Sequence, residues 1–211
     1  MEFIDLLSAR HSAVNFVEDF EMSEQDFKQI FELTKSAPSA YNLQSTHYFV
    51  ITDKTKKERI RALNYDQYKI HSASGVILVL GDATSTNAKN AEKIYRPLTM
   101  LKMMDELEYE TTMQMIANFH ATLEQNPTVM QMELMRNAGL HAMQFMLSAK
   151  TLGFDTCPMH LHNFDEIRQE FHIPAHLHPI MMITIGKSVD KVRPRGYRKP
   201  VGEFVTFNTF D

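Results

Sequence analysis

The chain has 211 residues, 44% hydrophobic and 23% charged, which is enough apolar material for a packed core and excludes a disordered or fibrous chain. Its formal charge of −4 offers no general attraction to a polyanion, so nucleic-acid binding is not expected, although residues 187–199 are locally basic. Cys157 is the only cysteine, which rules out an intrachain disulfide framework and a multi-cysteine zinc or iron–sulfur site within one subunit.

The apolar runs at 75–80 and 179–185 fall well short of the roughly 20 residues that cross a bilayer. The start, MEFIDLLSAR, is acidic and does not read as a signal peptide, so no membrane association and a cytoplasmic location are expected. No Pro/Gly/Ser-rich linker divides the sequence, which reads as one domain over residues 1–211.

In chain order, Phe3, Ile4, Leu6 and Leu7 recur at near-helical spacing and predict a short amphipathic helix over 2–9, with Arg10-His11-Ser12 at its end. Ser23 and Asp26 form a capping pair for a helix that presents Phe27, Ile30 and Phe31 and ends near Ser36, ahead of Pro38. Residues 47–52 are β-branched and aromatic enough for a strand, and 55–63 read as a charged surface helix. GVILVL at 75–80 has no polar alternation, which predicts a strand buried on both faces beneath helices. Residues 87–125 carry two helices, with Met100, Met103, Met104 and Leu107 at helical spacing. A central helix over 128–152 runs through Leu134, Ala138, His141, Ala142, Phe145 and Ala149 and stops at Gly153. Asn163 with Glu166 opens a short helix, 179–186 is a third strand, and 202–210 alternate enough for a fourth strand that seeks an edge. Strands separated by helices and covered on both faces predict a layered α+β or α/β domain.

Only seven glycines are present, none as GxGxxG or GxxxxGK[ST], so any nucleotide is held by side chains. Arg10-His11-Ser12 sets a guanidinium fork, an imidazole and a hydroxyl side by side, which suits a phosphomonoester; alone, it equally describes a solvated arginine with a serine turn. Ala37-Pro38-Ser39-Ala40-Tyr41-Asn42-Leu43-Gln44 is a polar loop leading into a strand. The basic tail Arg193-Pro194-Arg195-Gly196-Tyr197-Arg198-Lys199-Pro200 closes over a phosphate or is a solvated run. His160, His162, His172, His176 and His178 lie close in sequence without HExxH or other zinc spacing, and no metal is expected. Cys157, ahead of Pro158 in an apolar stretch, reads as an inert buried thiol.

Taken in order, these segments resemble the FMN-dependent nitroreductase family of NAD(P)H-dependent oxidoreductases, over essentially the whole chain. The family's Arg-Arg/His-Ser-x-Arg-x-Phe is met by Arg10-His11-Ser12-Ala13-Val14-Asn15-Phe16, with Val14 in place of the second arginine. Its Ala-Pro-Ser-x-x-Asn-x-Gln-Pro-Trp is met from Ala37 to Gln44, with Ser45-Thr46 replacing Pro-Trp. Asn64 and Gln67 look like the polar pair before the buried strand, Leu152-Gly153 and Thr156-Cys157-Pro158 follow the central helix, and Arg198-Lys199-Pro200 closes the order. After Pro158 the family has a short glycine-containing turn into Phe; here Met159-His160-Leu161-His162-Asn163-Phe164 is longer and lacks glycine.

The resemblance implies an α+β, nitroreductase-like α/β/α domain with a central, mostly antiparallel sheet and a C-terminal extension exchanged in a homodimer. FMN would sit at the subunit interface. Arg10, Ser12 and Arg198 would hold its phosphate, with His11 beside it and Lys199 in reach. Asn64 and Gln67 would meet the isoalloxazine and ribityl groups, and Pro158, Met159 and His160 would line the ring. Pro38, Ser39, Asn42 and Gln44 would reach the same flavin from the other subunit. No side chain is then needed as nucleophile or base, because the flavin carries the hydride between NADH or NADPH and a nitro, quinone or similar small-molecule acceptor in ping-pong fashion. Dehalogenase-type chemistry on the same fold, a redox-silent flavin-binding or regulatory protein, and a flavin-free helical interaction module are the competing readings. Met103, Met113 and Phe119 read either as a lid over the acceptor or as dimer packing.

Overall fold

A computed structural model describes residues 2–189 and 194–210; Arg193, the first residue of the basic tail segment, lies outside the described residues. Helix α1 spans Phe3–Ala9, and α2 spans Glu24–Thr34. The expected capping box starts α2: the Ser23 hydroxyl accepts the Asp26 N–H (3.2 Å) and the Asp26 carboxylate accepts the Ser23 N–H (2.8 Å). Strand β1 (Thr46–Ile51) leads to α3 (Lys54–Ala62), α4 (Tyr68–Ser72) and β2 (Gly75–Asp82). Helices α5 (Ala88–Met100), α6 (Glu106–Glu124) and α7 (Pro127–Thr151) precede β3 (Asp155–Met159), α8 (Phe164–Glu170) and β4 (Leu177–Gly186). Gly153, at φ +84°, supplies the left-handed stop after α7.

The strands form one antiparallel sheet in the order β1-β2-β4-β3. Central β2 has no polar residue before Asp82, and its side chains serve two cores. Ile77 and Val79 join Ile183 and Ile185 of β4 against α2 and α7, through Ile30, Ala138, Phe145 and Ala149. Val76, Leu78 and Leu80 join Met182 on the other face against Ile60 of α3, Ile70 of α4 and Ile167 of α8. Helices on both faces make this an α+β, α/β/α domain. Between Val79↔Met181 and Leu80↔Pro179 the register shifts by one residue, leaving Ile180 as a bulge beside a proline that cannot donate to the ladder. Among the described residues no helix is long and apolar enough to cross a membrane.

Four expectations are corrected. The fourth strand is β3, not 202–210, where the chain makes a single 3-10 turn at Val201–Glu203 and no strand. Met100 ends α5, Lys102 is left-handed (φ 56°) and α6 begins at Glu106, so the methionine spacing runs across a break between helices. Asn163 does precede α8, but its side chain makes no cap; it takes a left-handed backbone (φ 50°) and donates from Nδ2 to the Leu63 carbonyl (2.9 Å). Helix α4, five residues long, was not expected.

His141 is buried in α7 with Nε2 unpaired, and burial pulls its imidazole below the ordinary value. The unfolded chain protonates it near pH 6.5 while the fold favours the neutral ring. Its contribution to stability is therefore present above about pH 6.5 and lost as pH falls through the depressed folded value. His141→Leu is expected to flatten the stability curve on the acid side of about pH 6.5, as read by urea denaturation. An unchanged acid slope would assign the loss to other groups.

Candidate active site

Segment 12–16 starts against β3 and ends against the residues that follow β4. Ser12 bridges Thr156 in parallel, the Ala13 N–H donates to the Thr156 carbonyl (3.0 Å), and Phe16 bridges Ser188. Two distant motifs, Arg10-His11-Ser12 and Thr156-Cys157-Pro158, thereby become neighbours. From the other side, Lys69 of α4 brings Nζ to 3.6 Å from Cys157 Sγ. The tail completes the cluster: Arg195 Nη2 donates to the carbonyls of Leu7, Ser8 (3.0 Å) and Arg10 (3.0 Å), capping the carbonyl end of α1.

Burial lowers the pKa of the Arg10 guanidinium from its usual value, and repulsion from Arg195 and Arg198 lowers it further. Like charges brought together in this way are stabilised by an anion between them. His11 adds a second signal. Its Nδ1 lies 3.1 Å from the Ala9 carbonyl, so a proton there leaves Nε2 as the free end, and Nε2 is buried without a partner. A phosphate can satisfy the cations and share a hydrogen bond with this nitrogen. Arg198 is exposed and gives Nη1 to the Gly196 (3.1 Å) and Tyr197 (2.9 Å) carbonyls; Lys199 is exposed.

Asn64 is fully buried and does not face outward. Its Nδ2 donates to Ile60 O (2.8 Å) and its Oδ1 accepts the His162 N–H (2.8 Å). With the Asn163–Leu63 bond, this staples the end of α3 to the glycine-free loop after β3. Asn64 thus ties that loop to the end of α3. Tyr65 packs edge-on against His162 (4.7 Å), and His160 stands 6.1 Å from His162, ring to ring. Gln67 occupies the N-cap position of α4 without a side-chain cap, half-buried beside this group, and its Nε2 donates over a long 3.4 Å to Asn64 O. Pro158 and His160 are exposed, whereas Met159 packs inward against the α3/α8 core. Cys157 is buried, as expected. Among the described residues no group of three or more His, Cys, Asp or Glu side chains is placed to hold a metal.

The loop from Pro38 to Gln44 stands apart, since its hydrogen bonds run to itself, to α5 and to α7. Ser39 Oγ accepts the Gln44 N–H (3.0 Å), Asn90 Nδ2 donates to Leu43 O (3.0 Å), and Tyr95 OH donates to Tyr41 O (2.7 Å). Tyr41 (φ 48°), Asn42 (φ 50°) and Gln44 (φ 54°) are all left-handed, at about 1 kcal/mol or more each. The exposed Asn42 and Gln44 and the half-exposed Ser39 present donors and acceptors outward. The sequence reading overlooked Lys69 and did not single out Arg195 within the tail; the available sign for Lys69 was a lysine just past Gln67, flanking the buried Ile70.

Residues 7–187 match the model of the nitroreductase family. The Bacillus subtilis protein MhqN, named provisionally as an NAD(P)H nitroreductase, is 40% identical over 207 residues covering 98% of each chain. The crystal structure of B. subtilis ydfN, a provisional nitroreductase, superposes with a TM-score of 0.90 at 39% identity, covering 97% of this chain and 98% of that one. That of an Exiguobacterium sibiricum nitroreductase in complex with FMN gives 0.86 at 25% identity, covering 99% and 98%. A family match running from α1 to the end of β4, over a sheet and helices that superpose on those of solved members, means that the chain belongs to the nitroreductase family.

Proposed function

We propose that this protein is an FMN-dependent oxidoreductase that takes hydride from NADH or NADPH and passes it to a nitro, quinone or related small-molecule acceptor. The convergence of Arg10, Arg195 and Arg198 beside the unpaired His11 Nε2 carries this reading, because it fits a phosphomonoester. Arg10, Ser12, His11 and Arg198 hold the phosphate, with Lys199 at the rim. Gln67 and Lys69 serve the ribityl and ring edge. Pro158 and His160 line the ring, while Asn64 and the inward-packed Met159 act from behind them. When bound, FMN supplies the hydride chemistry. The residues around it fix its place, and the positive charge of Lys69 at the ring edge favours the reduced, anionic form.

Each site takes Pro38, Ser39, Asn42 and Gln44 from a second copy. Two features support the homodimer. Along α7, Met132, Met135, Leu140 and Met143 are exposed on the side where a Cβ at Gly139 would meet nothing. In the tail, Phe207 is 81% and Phe210 90% exposed. A partner's α7 and the partner's sheet edge at β1 are the surfaces that would cover them, with the tail exchanged and adding the strand that 202–210 do not form alone. The protein works in the cytosol as a single FMN-binding domain.

Purified protein is expected to carry one FMN per chain, to lose its yellow colour when NADH or NADPH is added without oxygen, and to regain it with a nitro or quinone acceptor. Double-reciprocal plots are expected to be parallel. Failure to take up FMN would sink the proposal, bound flavin that no nicotinamide reduces would favour the redox-silent reading, and intersecting lines would remove the ping-pong step.

A further inference from the structure

Helix α7 reaches the loop from Pro38 to Gln44 through a buried chain of polar groups. Asn137 Oδ1 accepts the Ala40 N–H (2.8 Å), while its Nδ2 donates to Glu133 Oε1 (2.7 Å) and to the Glu133 carbonyl (2.8 Å). Neither Glu133 oxygen can donate, so the two bonds determine which end of the amide faces Ala40. The Glu133 side chain is only 6% exposed, and its other oxygen is held by Arg136, whose side chain is 63% exposed. With the arginine end of this ion pair largely in solvent, the pair adds little stability, and its distinct effect here is orientation. The three left-handed residues downstream make the loop conformation one that needs outside restraint.

We propose that Asn137, oriented by Glu133, is a positioning residue for the flavin-facing loop: it pins the Ala40 N–H and so holds Ser39 and Asn42 toward the partner subunit's FMN. The consequence for FMN rests on the function proposed above; the restraint on the loop does not. Because α7 also bears the apolar stripe assigned to the dimer contact, loop order and subunit contact reside in one helix.

The test is amide hydrogen exchange on the full-length protein with and without FMN, together with FMN affinity by flavin fluorescence. In the wild type the Ala40 amide is expected to be protected; fast exchange there would overturn the proposal without any variant. Asn137→Ala and the milder Asn137→Ser are each expected to speed exchange over 39–44 at least tenfold, leave β2 unchanged and weaken FMN about tenfold. Glu133→Gln keeps an acceptor for Asn137 Nδ2 and is expected to stay within about twofold of the wild type. Wild-type exchange in both Asn137 variants, or faster exchange with unaltered FMN affinity, would overturn the positioning role. A wild type that takes up no FMN while both variants loosen the loop would instead sink the flavin reading and leave the restraint standing.

Discussion

Replacing Arg10 by alanine is expected to raise the dissociation constant for FMN by about 10- to 100-fold, the equivalent of one or two charge-assisted hydrogen bonds at roughly 1.5–3 kcal/mol in all. Arg10 is partly buried and sits in the field of two further arginines, so its own charge is already destabilised when no anion is present. Anion binding removes that penalty as well as forming new bonds. Arg198→Ala is expected to cost less, since Arg198 is exposed and its Nη1 is already engaged by two tail carbonyls. Riboflavin provides the control, because it lacks the phosphate. Titrations followed by flavin fluorescence should show the Arg10 loss for FMN and not for riboflavin. Equal losses for both would place Arg10 elsewhere in the site.

Phe145→Ala is expected to cost about 3–5 kcal/mol, enough to remove much of the stability of a domain this size. Phe145 is fully buried in the C-terminal half of α7, with its ring 5.3 Å from Phe31 and 5.8 Å from Tyr48. Truncation opens a cavity between a helix and a sheet that are both tied down elsewhere, so collapse is limited. Urea denaturation at fixed protein concentration would read the change as a lower midpoint at similar slope. A loss below about 1 kcal/mol would mean that α7 does not pack on the sheet through this ring.

Wherever the pattern was long and one-sided, the sequence was informative. The Ser23–Asp26 box and the α7 stripe ending at Gly153 each combine a local start or stop signal with a face that must be buried, and the unbroken apolar run of β2 marks a strand buried on both faces. The misses have physical causes. Strand β3 reads DTCPM, and Pro158 can be carried there because β3 is an edge strand whose proline loses no obligatory bond. Five residues give α4 too few turns for periodicity. The tail alternates as a strand does, but a strand is defined by its partner, and this chain alone provides none for 202–210. At the site, residue type alone does not give the direction in which a side chain points. Asn64 has the chemistry of a ligand and spends it on Ile60 and His162, a distinction that depends on where α3 ends rather than on the residue itself.

Gly81, in β2, lies so close to α7 that a Cβ added there would stand 2.7 Å from Cβ of Leu134. The spacing between sheet and helix is therefore set by a hydrogen atom. Any larger group would act as a shim, lifting α7 from the sheet three residues before Asn137. The displacement would pass to Ala40, so a methyl group inserted in the middle of the sheet would be felt at a surface loop it never touches.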